Sequence, residues 1–107
     1  MREQRRSRRF ALNLEVLEIS GKPAPGARIL DLSVNGARLA LPFATRINEQ
    51  LKFMVLLPGL TKPSTFIGRV VWKKPADPEG RYVTGLQFYQ NYWDLDQWLR
   101  AQTHTKA

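Results

Sequence analysis

Six short runs of alternating or β-branched residues, each cut off by glycine, proline or asparagine, constrain this chain more than any other feature of it. In the first run Phe10, Leu12, Leu14 and Val16 are apolar while Asn13 and Glu15 between them are polar, the period of two of a half-buried strand. Gly21, Pro23, Pro25 and Gly26 then break the chain in a polar loop. Residues 27–32, with Ile29 in the middle, and residues 37–41 read as the second and third strands, separated by the turn formers Ser33, Asn35 and Gly36. After Pro42 the set Leu51, Phe53, Val55 and Leu57 predicts a fourth strand that stops at Pro58 and Gly59. Residues 65–72 are rich in β-branched and aromatic side chains and give a fifth. The turn Asp77-Pro78-Glu79-Gly80 leads into a sixth over residues 81–89, carried by Tyr82, Val83, Leu86 and Phe88.

The period changes near the end. From Asn91 to about Gln102 the apolar residues Leu95, Trp98 and Leu99 recur at helical spacing; Asn91 or Asp94 can cap, and Asp94 and Asp96 suit the positive end of the helix dipole. Six strands and one amphipathic helix predict a mainly β domain, a sandwich or small barrel covered by the helix. At 107 residues the chain suits a single domain. A domain of that size buries roughly 65% of its unfolded surface, so folding needs neither a metal nor a disulfide. Cysteine is absent, which removes disulfides, thiol catalysis and cysteine-based metal sites. Hydrophobic residues at 43% and charged residues at 24% exclude the composition of a disordered chain.

Charge is unevenly placed. The 17 basic and 9 acidic residues leave a net +8, and residues 1–9 alone hold Arg2, Arg5, Arg6, Arg8 and Arg9 against Glu3, half of that surplus. No secretory signal is expected, because Asn13 and Glu15 interrupt the apolar stretch after the basic start. The longest wholly apolar run, residues 53–57, is too short to cross a bilayer. A cytoplasmic location without membrane insertion is the expectation.

Two features carry chemistry. Arg5 and Arg9 stand with three residues between them just before the first strand. A guanidinium is planar, always charged, matched to phosphate oxygens, and able to donate two parallel hydrogen bonds to guanine O6 and N7. The same cluster also reads as a solvated basic arm or a polyanion tether. The second feature is Asp31, Ser33 and Gly36 in Asp-x-Ser-x-x-Gly spacing. A carboxylate accepts from guanine N1 and N2, a hydroxyl donates to phosphate, and glycine lets backbone approach a ligand; equally, the three make an ordinary turn with glycine at positive φ.

Taken together, Arg5-Arg6-Ser7-Arg8-Arg9, Asp31-Leu32-Ser33-Val34-Asn35-Gly36-Ala37-Arg38-Leu39, Gly68-Arg69-Val70-Val71-Trp72 and Gly85-Leu86-Gln87-Phe88 resemble, in this order, the PilZ family of cyclic diguanylate (cyclic di-GMP) receptors. The resemblance implies a six-stranded antiparallel Greek-key β-barrel with a C-terminal α-helix, binding a bacterial second messenger without chemistry on it. Arg5 and Arg9 would be the family's Arg-x-x-x-Arg pair, and Arg6 would add a phosphate or guanine contact. Asp31 would read a guanine edge, Ser33 would meet a phosphate, Gly36 would permit the turn, and Trp72 would stack on a base, unless it is a core or rim tryptophan. Where many members have an arginine or a bulky residue before the first motif arginine, this chain has Gln4, a position that affects whether one ligand or an intercalated pair binds.

The organisation expected is a flexible arginine-rich arm over residues 1–9, the barrel and helix over 10–102, and a tail over 103–107 that contains the lone His104. The arm would order on the messenger, and the resulting surface would signal to a partner protein. A basic β-barrel binding single-stranded nucleic acid through aromatics and arginines is one alternative, though nucleic acid is not the expected partner. A PilZ-like interaction adaptor that ignores nucleotides is another. No enzyme, metal or cofactor is expected: the sequence has no Cys, one His, and no carboxylate pair set against a nucleophile.

Overall fold

The computed structural model describes residues 9–105. Its strands are β1 (Phe10–Glu15), β2 (Glu18–Ile19), β3 (Lys22–Pro23), β4 (Arg28–Leu32), β5 (Gly36–Leu41), β6 (Gln50–Val55), β7 (Ser64–Lys73) and β8 (Tyr82–Phe88), followed by helix α1 (Trp93–Thr105). All pairings are antiparallel, in the order β1-β4-β5-β8-β7-β6-β2-β3. The meander β6-β7-β8 returns its last strand to β5, which is Greek-key connectivity.

The sheet curls because one stretch of chain serves both of its ends. Val16 N–H donates to Ala27 O at 2.9 Å, beside β4, and the next residue, Leu17, donates to Met54 O at 2.8 Å, in β6. Residues 10–19 thus bend from one end of the sheet to the other and join them in a barrel. Beyond that bend β1 diverges from β6, and α1 fills the opening. Trp98 packs edge-on against Phe10, with ring centroids 5.3 Å apart, and its indole N–H donates to Pro58 O at 2.9 Å.

The interior is lined by alternate residues of each strand. Ile29, Leu32, Leu39, Leu41, Phe53, Val55 and Val70 are fully buried, joined from outside the strands by Val16, Leu57 and, on the helix, Leu95. Each such side chain contributes roughly 1.5–3 kcal/mol by leaving water. An aromatic group of Phe53, Phe66, Phe88 and Tyr92 closes the helix end, where Tyr92 stands edge-on to Phe66 and Phe88 at 5.0 and 5.4 Å.

The expected mainly β barrel with a C-terminal helix is present, with eight strands in place of six. The two extra strands lie where a polar loop was expected. Ser20 and Gly21 both take positive φ, 54° and 83°, the two-residue turn that matches strand twist, and so residues 18–23 pair as a hairpin. Pro23 is tolerated because β3 is the sheet's edge. The helix differs at both ends. Tyr92 O accepts the first helical bond, from Asp96 N–H at 3.0 Å, so Tyr92 takes the capping position expected of Asn91 or Asp94. The helix then runs past Gln102 to Thr105, with no glycine or proline to stop it.

Candidate ligand-binding site

Two β-bulges decide what the outer face of the barrel presents. In β4, Ile29 is opposite Leu39 and faces the core, while Asp31 is opposite Arg38; the extra residue between them turns Asp31 outward. Without the bulge, residues two apart would share a face and the carboxylate would enter the core. In β7, Val70 is opposite Leu86 inside the barrel, and Trp72, after a second bulge, is opposite Gly85. The indole is thereby moved to the outer face as well.

Between these two points the floor is made of glycine. A Cβ on Gly85 would lie 2.2 Å from Trp72 Nε1, so the indole rests directly on the glycine backbone. A Cβ on Gly36 would lie 2.0 Å from Leu86 O, because β5 and β8 approach closely there. Gly36 is not at positive φ; Gly21, Gly26, Gly59 and Gly80 are. The expectation that Gly36 serves the turn by its conformation is therefore corrected: it serves by leaving room.

The turn itself is held by Ser33. Its Oγ accepts from the N–H groups of Asn35 at 3.2 Å and Gly36 at 3.3 Å, and its own N–H donates to Gly36 O at 2.9 Å. Ser33 is buried, so in this structure the hydroxyl closes the loop.

Arg9, Ser33, Asn35, Gly36, Trp72 and Gln87 are among the residues lining an open cavity of about 520 Å³ on this outer face. That volume lies within the roughly 300–1,000 Å³ of small-molecule sites. Arg9 Nη1 also donates to Asp31 Oδ1 at 2.9 Å, so it joins the cavity to a carboxylate that does not itself line it. The Arg9 side chain is 58% exposed and that of Asp31 only 7%. On the other oxygen, Arg38 Nε lies 3.0 Å from Asp31 Oδ2 as an ion pair, yet its N–H is not aimed at that oxygen and this buried nitrogen has no hydrogen-bond partner. One buried carboxylate between two guanidinium groups leaves a net positive charge beside the cavity, a field that favours an anion.

Of the expected site residues, Arg9, Ser33, Gly36 and Trp72 meet at one cavity and Asp31 is tied to it through Arg9. Arg5 and Arg6 lie outside the described residues. The sequence reading passed over Arg38, Gly85 and Gln87 as site residues. Register would have found them: Arg38 stands opposite Asp31, Gly85 opposite Trp72, and Gln87 opposite Gly36. Among the described residues no three of His, Cys, Asp and Glu cluster to hold a metal, and no helix is long and apolar enough to cross a membrane.

The family model of the PilZ domain matches residues 3–100. The chain belongs to the PilZ domain family. PilZ domains are generally receptors or adaptors that bind cyclic di-GMP, and the family is not one of enzymes. Among curated proteins no relative matches the sequence. In this PilZ domain the two halves of the motif, far apart in the chain, come together as the Arg9–Asp31 pair at the edge of a glycine-floored cavity with a tryptophan on it.

Proposed function

We propose that this PilZ domain is a receptor for cyclic di-GMP that changes conformation on binding and signals to a partner protein by contact. The observation that carries the reading is Arg9, which lines the cavity and at the same time holds Asp31. A guanine offers its N1 and N2 protons to two acceptor oxygens, and the Asp31 carboxylate has two. Arg9 holds one of these oxygens by a hydrogen bond and Arg38 lies beside the other as an ion pair without one, so a guanine that takes both oxygens in plane displaces Arg9. Arg9, mostly exposed and joined by one bond, is the group that swings away, exchanging its carboxylate for a phosphate or a guanine edge.

Arg5 and Arg6 add further contacts from the arm, Ser33 and Gly36 keep the loop in shape below the messenger, and Trp72 offers a base its π-face. Residues 1–9 order on the ligand as their positive charges are neutralised, and the new surface is what the partner meets. Backbone order parameters with and without ligand test this step; an arm equally rigid in both states overturns it.

Calorimetric titration with cyclic di-GMP tests the whole. Saturable heat is expected, weakened by about 10- to 100-fold in Arg9→Ala, the loss of one charge-assisted contact. Arg100→Ala, whose partner is Asp96 on the exposed side of α1, leaves it unchanged. The adenine analogue cyclic di-AMP is rejected. No heat with the unmodified chain overturns the reading, and affinity for any polyanion that collapses with salt favours single-stranded nucleic acid.

A further inference from the structure

On the cavity wall, in β8, stands Gln87, opposite Gly36 on β5 and opposite Arg69 on β7. Arg69 Nη2 donates to Gln87 Oε1 at 3.0 Å, and Arg69 Nη1 donates to Asn48 Oδ1 at 2.7 Å. A guanidinium has donors only, so the atom it meets on Gln87 is the amide oxygen and the amide nitrogen is turned away from Arg69. Asn48, the anchor on the far side, sits at φ 74° with its own N–H on Val70 O at 2.7 Å, so the guanidinium is braced by a loop that is itself pinned to the barrel. The result is an amide whose oxygen is held by Arg69 and whose NH2 is turned away from it, on a side chain that lines the cavity.

We propose that Gln87 is a further ligand-binding residue of this site, and that Arg69 is its positioning residue. This role of Gln87 rests on the cavity being the cyclic di-GMP site. An NH2 group fixed beside Gly36 takes an acceptor oxygen of the messenger, a phosphate oxygen or guanine O6. It thus supplies the neutral donor expected of Ser33, whose own O–H is turned to Gly36 O at 3.4 Å within the loop. It also disfavours adenine, which places an amino donor where guanine has O6.

The test is a calorimetric series with cyclic di-GMP on the full chain, using Gln87→Ala, Gln87→Glu, Arg69→Ala and the Gln87→Ala/Arg69→Ala double variant. Gln87 is exposed, so both of its substitutions leave the core untouched. Gln87→Ala weakens binding about tenfold, one hydrogen bond to a charged or strongly polar acceptor. Gln87→Glu weakens it more, since an acceptor-only carboxylate now faces the ligand's oxygen. Arg69→Ala reproduces the Gln87→Ala loss in the unmodified background and adds little to it in the double variant, the non-additivity of a residue that acts through another. The side-chain amide resonance of Gln87 shifts on titration. Unmodified protein that binds while Gln87→Ala binds equally well overturns this proposal alone. Unmodified protein that gives no heat overturns the receptor reading, and Gln87's role with it. An Arg69→Ala loss that is the same in both backgrounds overturns the positioning role and makes Arg69 a direct contributor of charge.

Discussion

Two loops of the barrel pair an aspartate with a glycine, and they use them in opposite ways. In Asp77-Pro78-Glu79-Gly80 the carboxylate is spent on its own loop: Oδ1 accepts from the N–H groups of Glu79 at 2.9 Å and Arg81 at 2.8 Å, and Oδ2 from Arg81 Nε at 3.3 Å. Gly80 is there for its φ of 82°, with open space where a Cβ would stand. In the loop from Asp31 to Gly36 the Ser33 hydroxyl takes the local N–H groups, and Gly36 is there for space. Asp31 is thereby released to bind partners from elsewhere, Arg9 before β1 and Arg38 on β5. An aspartate beside a turn keeps its oxygens for residues from elsewhere in the chain where another side chain closes the turn for it.

The glycines offer the largest test of that contrast. Gly36→Ala forces its methyl group into Leu86 O and parts β5 from β8, a loss of about 3 kcal/mol from overpacking. Gly80→Ala meets nothing and loses about 1 kcal/mol through its φ alone. Urea unfolding of the two variants measures both, and equal losses would show that β5 and β8 take up the methyl group without parting. The aspartates come next. Asp31→Ala weakens cyclic di-GMP binding by about 10- to 100-fold, while Asp77→Ala leaves the titration unchanged. Equal losses would mean that the ligand responds to diffuse charge and that the two loops do not differ in kind.

Much of this was legible from residue pattern. The alternation in Leu51, Phe53 and Val55 placed β6, because that strand is regular, with Lys52 and Met54 turned away from the core. Asp31, Ser33 and Gly36 were legible as a spacing, although the spacing could not tell a closed turn from an open site. What it missed are features where the period of two fails. The bulges that turn Asp31 and Trp72 outward insert one residue each, and an apolar Leu30 or Val71 gives no sign that it is the extra one. Gln87 and Arg38 gain their meaning from strands paired across the barrel, long-range register that no local pattern carries. The hairpin of β2 and β3 hid behind Pro23, a residue that argues against a strand except at an edge.

Smaller effects sharpen the division of labour inside each loop. Ser33→Ala removes the acceptor for the N–H groups of Asn35 and Gly36, a loss of about 1 kcal/mol in urea unfolding. Its effect on cyclic di-GMP affinity is smaller than that of Asp31→Ala, because the hydroxyl works within the loop. If Ser33→Ala instead costs as much affinity as Asp31→Ala at unchanged stability, the hydroxyl reaches the ligand and the contrast between the two loops narrows.

The smallest effect belongs to the other loop and to pH. The Arg81 backbone N–H above all, with the Glu79 N–H and the Arg81 guanidinium, holds the Asp77 carboxyl below its ordinary value of 3.8 against a lesser opposing desolvation. A carboxyl whose pKa is depressed by folding adds stability that is fully present above the unfolded value and disappears as pH falls through the folded one. Asp77→Asn lacks that ionisation, so the stability lead of the unmodified chain over the variant is constant near neutral pH and closes in the acid range below 3.8. Thermal unfolding midpoints from pH 6 to pH 2 follow it. A lead that persists undiminished in acid would assign the turn's stability to the shape of the acceptor rather than its charge, and Asp77 would then close its loop as a neutral side chain could, much as the Ser33 hydroxyl closes the other.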